Sequence, residues 1–460
     1  MQYRYLLACL LLALVSIKGH GQDTRAMSLP QLWEQAFANY PSLVAYQARL
    51  QQATLDQKLA RNQYLPQLKL QAQNTVGTQN TVGGAFFPLP GSYNVAGSGI
   101  GNAAGPSANL LGSLIMDWEF LQFGRHKKTT EAAAIMSRQA GYRLEAAQIT
   151  IQAELSRTYF ALLFHRQMER WAQQNTERLQ QLFKASQSTA RAGLSPGADS
   201  LLVKASLRQT AAKQDDWQGQ SQESAIALAT WINMPASQLS LKNSSFPAAS
   251  EGAIPLMEPD AEAQHPQLAF RQQGIAYAGK QKEIAGANVL PTLSLLAGVQ
   301  LRNHAPTLEG ALGESWGNVY SNSTHNYLLG LGLRWNLTEL FDFKLVRARH
   351  QEEIHLRQAE ADETILNLQS HRQIAQRQIT QDLRQIENGE EAYEAASEAY
   401  HLFETRYKSG LISISELLQI QDILQKTEKT RIEAYYQYWM QQADFAEASA
   451  DFSILQTAFE

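Results

Sequence analysis

From Gln122 to Ala192, and again from Asp342 to Lys408, the chain runs without a proline while apolar residues recur at helical spacing. Leu155, Tyr159 and Leu162 mark the first stretch, Ile379, Leu383 and Ile386 the second. At 1.5 Å per residue, about 70 residues make a rod roughly 105 Å long. No ordinary globular domain accommodates such a rod, still less two. Each is followed by a glycine, Gly193 or Gly410, and by a shorter helical stretch that returns, about Ala198 to Met234 and Ile414 to Ser453.

The rest of the chain is also written twice. Tyr40-Pro41-Ser42-Leu43 is echoed 225 positions later by His265-Pro266-Gln267-Leu268, and Leu65-Pro66-Gln67-Leu68 by Leu290-Pro291-Thr292-Leu293. Further on, Trp118 matches Trp335 and Gly193-Leu194 matches Gly410-Leu411, both at an offset of 217. The offset changes once, inside the segment that holds the Gly-rich stretch, so the second copy has a shorter loop. Each copy starts with an Ala/Gln-rich helix (Ser28 to Asn62, then Asp260 to Ala287) that a Leu-Pro step ends. In each copy the returning helix and this entering helix together match the long helix in length. Two short helices stacked end to end can therefore lie beside one long helix.

Between entering and long helices the period changes to two. Tyr327, Leu329, Leu331, Leu333, Trp335 and Leu337 alternate with Leu328, Gly330, Gly332, Arg334 and Asn336. Leu114, Met116, Trp118 and Phe120 against Ile115, Asp117 and Glu119 repeat this less cleanly. A lipid-facing barrel strand and a strand packed on a soluble core both give such alternation. Aromatic residues near the strand ends favour the membrane. The expected organisation is a first repeat over 22–235 (strands about 65–73 and 110–120, helical hairpin 122–234) and a linker over 236–259. A second repeat follows over 260–460 (strands about 291–301 and 327–337, hairpin 342–453).

Residues 1–21 read as a secretory signal: Arg4, an apolar run from Leu6 to Val15, then Gly19 and Gly21 ahead of Gln22. Leu6-Leu7-Ala8-Cys9 has the shape of a lipobox, but it precedes the apolar run instead of following it. Removing Arg4 and Lys18 with the leader takes the formal charge from −4 to −6. The mature chain then has no cysteine, which excludes disulfides, thiolate metal sites and cysteine nucleophiles. Without a basic excess it is no nucleic-acid binder.

With this leader, the duplicated strand–strand–long hairpin unit and these landmarks, the chain resembles the TolC-type outer-membrane efflux proteins (outer membrane factors) over nearly all its mature length. The most specific matches are two turns. Ala192-Gly193-Leu194-Ser195 precedes Asp199 and Leu201-Leu202, and Ser409-Gly410-Leu411-Ile412 precedes Glu416 and Leu417-Leu418. The resemblance implies a mainly helical homotrimer with a twelve-stranded β-barrel in outer-membrane lipid, continued by a periplasmic α-helical barrel. It implies a passive exit duct for efflux or secretion, joined to a periplasmic adaptor protein and an energised inner-membrane transporter, with no cofactor.

By the same resemblance, Gly193, Leu194, Ser195, Gly410 and Leu411 form the turns that meet the adaptor. Glu416 takes the place of an axial acid whose three copies narrow the closed entrance. Gln419 holds the second such position, and the next acid is Asp422. Tyr407 and Asp199 match residues that hold the tip closed, while Ile412 stands where the family has an arginine. Either fewer polar links close the tip, or Arg406 or Lys408 substitutes. A plainer reading of Asp199 and Glu416 is that each stabilises the start of its helix.

Gly97, Gly99, Gly101 and Gly105 lack the strand and helix that a nucleotide loop requires. They read as an exposed loop within Asn74 to Ser113. His350 and His355, five apart, do not share a helix face as metal ligands do, and no catalytic constellation converges. The expectation is a non-enzymatic duct. A type I protein secretion duct and a periplasmic coiled-coil scaffold without a barrel are the alternatives.

Overall fold

A computed structural model describes residues 26–77, 107–193, 196–249, 264–304 and 323–460. The expected leader with Cys9, the Gly-rich stretch at 97–105, turn residues Leu194 and Ser195, and the linker beyond residue 249 lie outside them. The chain divides into two compact units. One comprises Arg49–Gly141 and Ala269–Asp362, the other Met1–Ala48, Tyr142–Leu268 and Glu363–Glu460. In chain order the elements are α1 (Leu29–Asn39), α2 (Pro41–Asn62), β1 (Gln67–Gly77), β2 (Ser107–Leu121), α3 (Arg125–Arg191) and α4 (Gly197–Trp231). Then come α5 (Pro266–Asn288), β3 (Thr292–His304), β4 (Ser323–Arg334), α6 (Glu339–Lys408), α7 (Ile414–Ser449) and α8 (Ser453–Phe459).

Several boundaries differ from expectation. β1 runs on to Gly77 and β2 begins at Ser107, so both ends of the stretch read as a loop from Asn74 to Ser113 are paired strand. The helix expected from Ser28 to Asn62 is two helices, because Pro41 forces Tyr40 into an extended conformation (φ −72°, ψ 120°). Ser28 and Gln31 form a capping box on the first. The strand expected to run to Leu337 stops at Arg334. Beyond it the Asn336 side chain builds a turn, accepting from the Thr338 amide and hydroxyl at 3.3 and 2.6 Å. The helix expected to reach Ser453 ends at Ser449, where Ala450 turns left-handed (φ 58°) and α8 begins anew. Leu455 and Phe459 of α8 are fully buried. The stretch just after residue 235 is packed as well, with Leu239 in the core and Met27 bridged to Leu241.

In the first unit, β1-β2-β3-β4 form one antiparallel sheet in sequence order. The register aligns Leu68, Met116, Ala297 and Leu329 in one row and Leu70, Leu114, Val299 and Tyr327 in the next. Trp118, Leu295 and Leu331 continue the same face. On the opposite face the rows read Gln67, Asp117, Leu296, Gly330 and Gln71, Ser113, Gln300, Asn326. One face is therefore apolar across all four strands, and its side chains are exposed: Leu70 82%, Leu331 76%, Tyr327 87%. Below the sheet, Trp118 Nε1 donates to the Tyr64 carbonyl (2.8 Å) and Trp335 Nε1 to the Val289 carbonyl (3.0 Å). The same bond thus occurs at matching positions of both halves.

The second unit buries an aromatic core. Phe459 lies edge-on to Tyr159 and Trp439, and Trp33 Nε1 donates to the buried Ser156 hydroxyl. Along α7, Ile414, Leu417, Gln421, Leu424 and Glu428 are buried at alternating three- and four-residue steps. That is the spacing of a coiled-coil seam. Along this stretch α7 meets α3, through Asn175 and Arg178, and further on it meets α6, where Glu390 accepts from Arg431 and Tyr435 and a methyl added at Gly389 would lie 3.7 Å from the Arg431 Cα.

Candidate functional site

The two glycine turns between long and returning helices lie in the second unit. Gly193 (φ +70°) and Gly410 (φ +73°) both adopt the left-handed conformation that ends a helix and that glycine alone adopts without strain. At the second turn the Gly410 amide donates to the Tyr407 carbonyl and the Leu411 amide to the Arg406 carbonyl, both at 2.9 Å. This paired closure of a helix end leaves the Leu411 side chain 75% exposed. Leu201 and Leu202, near the first turn, are exposed too.

Glu416 sits in a capping box. Its carboxylate accepts from the Ser413 amide (2.7 Å) and hydroxyl (2.9 Å), while the Ser413 hydroxyl accepts from the Glu416 amide. These bonds from Ser413 hold its carboxyl below the usual range. Asp199 lies in the first turn of α4, whose cap position is Pro196 and carries no side-chain bond. The two acids, six residues past their glycines, are thus held differently.

Gln419 shares the exposed face of Glu416 one turn on, whereas Asp422 lies roughly 120° further round the helix. Asp422 is also paired with Lys426 at 2.6 Å. Asp199 and Tyr407 are brought together. Burial, and then the Asp199 charge, push the Tyr407 phenol upward, although no hydrogen bond joins the two among the described residues. Tyr407 and Ile412 pack against the apolar cluster of Leu179, Leu182, Val203 and Leu417. The cations considered as substitutes are engaged elsewhere: Arg406 lies over the Phe403 ring and Lys408 pairs with Glu404.

A further group was not singled out from the sequence. Gln421 donates to Asn175, Asn175 to Glu428, and Arg178 makes two bonds to Glu428 at 2.7 and 2.8 Å. Asn175 and Gln421 are buried, so this polar layer joins α3 to α7 inside the packing. Its signal was a polar residue at a seam position, visible only once the seam is known. Among the described residues no cluster of three metal-ligating side chains occurs, and no helix is long and apolar enough to cross a membrane.

No curated protein matches the chain. Solved structures share its fold: the outer-membrane channel OprN, 19% identical, aligns over 92% of this chain and 89% of that one with a TM-score of 0.74. The CmeC outer membrane channel of Campylobacter jejuni, 15% identical, aligns over 94% and 87% with a TM-score of 0.73. The MtrE outer membrane channel of Neisseria gonorrhoeae, 17% identical, aligns over 92% and 89% with a TM-score of 0.66. The outer membrane efflux protein model matches residues 32–233 and 259–449, which take in both glycine turns and all four strands. By that match the chain belongs to the outer membrane efflux protein family, the TolC-like channels.

Proposed function

We propose that the chain is the outer-membrane exit duct of a tripartite efflux or secretion system, passive in itself and without a cofactor. Three copies assemble, and twelve strands close one barrel in the outer membrane while the helices extend into the periplasm. The observation that carries this is the sheet. Its apolar face is exposed across all four strands, and β1 and β4 each have a neighbour on one side only. Open edges leave backbone groups without partners, which hydrocarbon does not tolerate, and closure with further copies removes them. A periplasmic scaffold without a barrel has no use for such a face.

In this duct the turns at Gly193-Leu194-Ser195 and Gly410-Leu411 meet a periplasmic adaptor, which couples the duct to an energised inner-membrane transporter. Glu416, with Gln419 and Asp422 beyond it, lines the entrance, and Asp199 beside Tyr407 holds the tip closed. Residues 1–21 are removed on export. Chemical cross-linking and native mass measurement in detergent test the assembly, with a trimer expected. A monodisperse monomer that retains channel activity in bilayers overturns the proposal.

A further inference from the structure

The buried positions of α6 run Thr364, Leu368, Arg372, Ala375, Ile379, Asp382 and Ile386, again at three- and four-residue steps. This is the α6 side of the seam with α7. Asp382 is the acid among them. It is 8% exposed, its Oδ2 has no hydrogen-bond partner, and no cation pairs with it among the described residues. Its neighbours Ile379, Leu383 and Ile386 belong to or pack on the central apolar cluster.

The helices run antiparallel, with Gly389 and Glu390 against Arg431 and Tyr435. Two turns back along α6, that pairing brings Asp382 level with the Tyr438–Gln442 turn of α7. There Gln442 donates to the Tyr438 hydroxyl inside the packing. The charged groups bordering this stretch are engaged or turned to solvent. On α7, Arg431 is held by Glu390, Lys429 by Glu433, and Glu428 by Arg178. Asp444 and Glu447 hold Arg157 of α3. Arg166, also on α3, faces Arg170 and Glu169. On α6 itself Arg377, Arg384 and Glu387 are exposed, and Arg372 lies over the Phe445 ring.

We propose that Asp382 is a proton-operated weak point in the α6–α7 seam. Neutral, its carboxyl packs between the isoleucines and has a proton to donate. Ionised, it must draw in water or a cation, and the seam opens locally around it. An unpaired buried charge is among the most costly groups a packed interface can hold. An asparagine would fix the register of the seam equally well, so the carboxyl adds a dependence on protons and nothing else.

Burial alone raises the Asp382 carboxyl, to about 6. The folded seam therefore keeps this proton at pH values where an open seam has lost it. The stabilisation is full below the ordinary aspartate value near 4 and is lost as pH rises to about 6. The seam therefore tightens in acid and loosens toward neutrality. This holds whether or not the reading as a tripartite duct is correct.

Hydrogen exchange of the full chain in detergent, followed over residues 430–442, tests it. Normalised for intrinsic rates, the local opening equilibrium should be about tenfold larger near pH 7.5 than near pH 5. In Asp382→Asn the two values should coincide. In Asp382→Leu the seam should be at least as protected near neutrality as the unaltered chain is in acid. A protonated-carboxyl infrared band should also vanish between those pH values in the unaltered chain and be missing in Asp382→Leu. An unaltered chain without this pH dependence, an Asp382→Asn variant that keeps it, or the absence of the band overturns the proposal.

Discussion

Leucine is used in opposite ways on the sheet face and in the core of the helical unit. In the sheet, Leu70, Leu329 and Leu331 lie on a face that the protein itself leaves open, whereas Leu155, Leu162 and Leu163 of the helical unit are fully buried. Apolar area left exposed on this scale is a liability in water and none in hydrocarbon. The difference teaches that one chain is built for two solvents. Only the helical unit has to complete its own core.

The comparison breaks first where the helical core is hollowed. Trp439, 2% exposed and ringed by Phe160, Tyr438 and Phe459, has no solvent to fall back on. Trp439→Ala should cost about 3–5 kcal/mol, seen as a lower midpoint of thermal unfolding in detergent. Leu331→Arg is the matching test in the sheet. It should cost about 2–4 kcal/mol in lipid near the bilayer midplane. The defect should appear in insertion into liposomes, with the helical unit melting unchanged. Gly332→Arg, on the opposite face, should leave insertion intact and alter conductance. Equal insertion defects at Leu331 and Gly332 would contradict the assigned face.

Much of this division can be read from residue order. The period-two run from Tyr327 to Leu333 marks the exposed face, and the proline-free rods mark the helices, because both patterns extend over many residues. Short or singular features escape such reading. Pro41 interrupts a helix whose Ala/Gln-rich pattern continues on both sides. Asn336 ends a strand although Trp335 and Leu337 still alternate. Helix α8 has seven residues, too few to display a period, and its role comes from Phe459 meeting Tyr159 and Trp439. At the turns, the residue types that suggest an acidic entrance are also those of a capping box. Sequence alone does not separate the two.

The comparison sharpens where the helical unit buries polar groups, since these must find partners inside it. His265, 4% exposed, precedes Pro266 at the start of α5. Its Nδ1 accepts from the Gln267 amide and its Nε2–H donates to the Glu447 carbonyl, each at 3.1 Å. Those two partners admit only the neutral imidazole with its proton on Nε2. Burial moves its pKa downward, against the opposing pull of Glu447. The contribution to stability is thus full above the ordinary histidine value near 6.5 and declines as pH falls below it. His265→Leu should cost about 1 kcal/mol near neutrality, the scale of a lost helix cap. It should also flatten the pH dependence of melting between about 5 and 7. Tyr40, the matching residue of the first copy, lies against Trp231 with ring centroids 4.8 Å apart and the planes tilted by 39°. Tyr40→Phe should leave that pH dependence untouched.

The smallest expected effect separates the two roles open to Glu416. As a cap, its carboxylate is held by Ser413 and titrates low, so its contribution is present at neutral pH and lost only below about 4.5. As one of three acids around a narrow axis, it would be pushed the other way, because like charges held close raise one another's pKa. Ser413→Ala removes the cap bonds and leaves the charge. It should cost about 1 kcal/mol and spare any block by multivalent cations. Glu416→Gln keeps an acceptor for the Ser413 amide and removes the charge, so it should weaken that block and change stability little. Asp422→Asn should do less, because Lys426 already neutralises that acid and it lies on another side of the helix. Asp199→Asn should ease opening through Tyr407 without touching the block. Planar-bilayer recordings of the four variants decide between the roles. If cation block survives Glu416→Gln unchanged, the carboxylate is a helix cap and the entrance owes its selectivity to other groups.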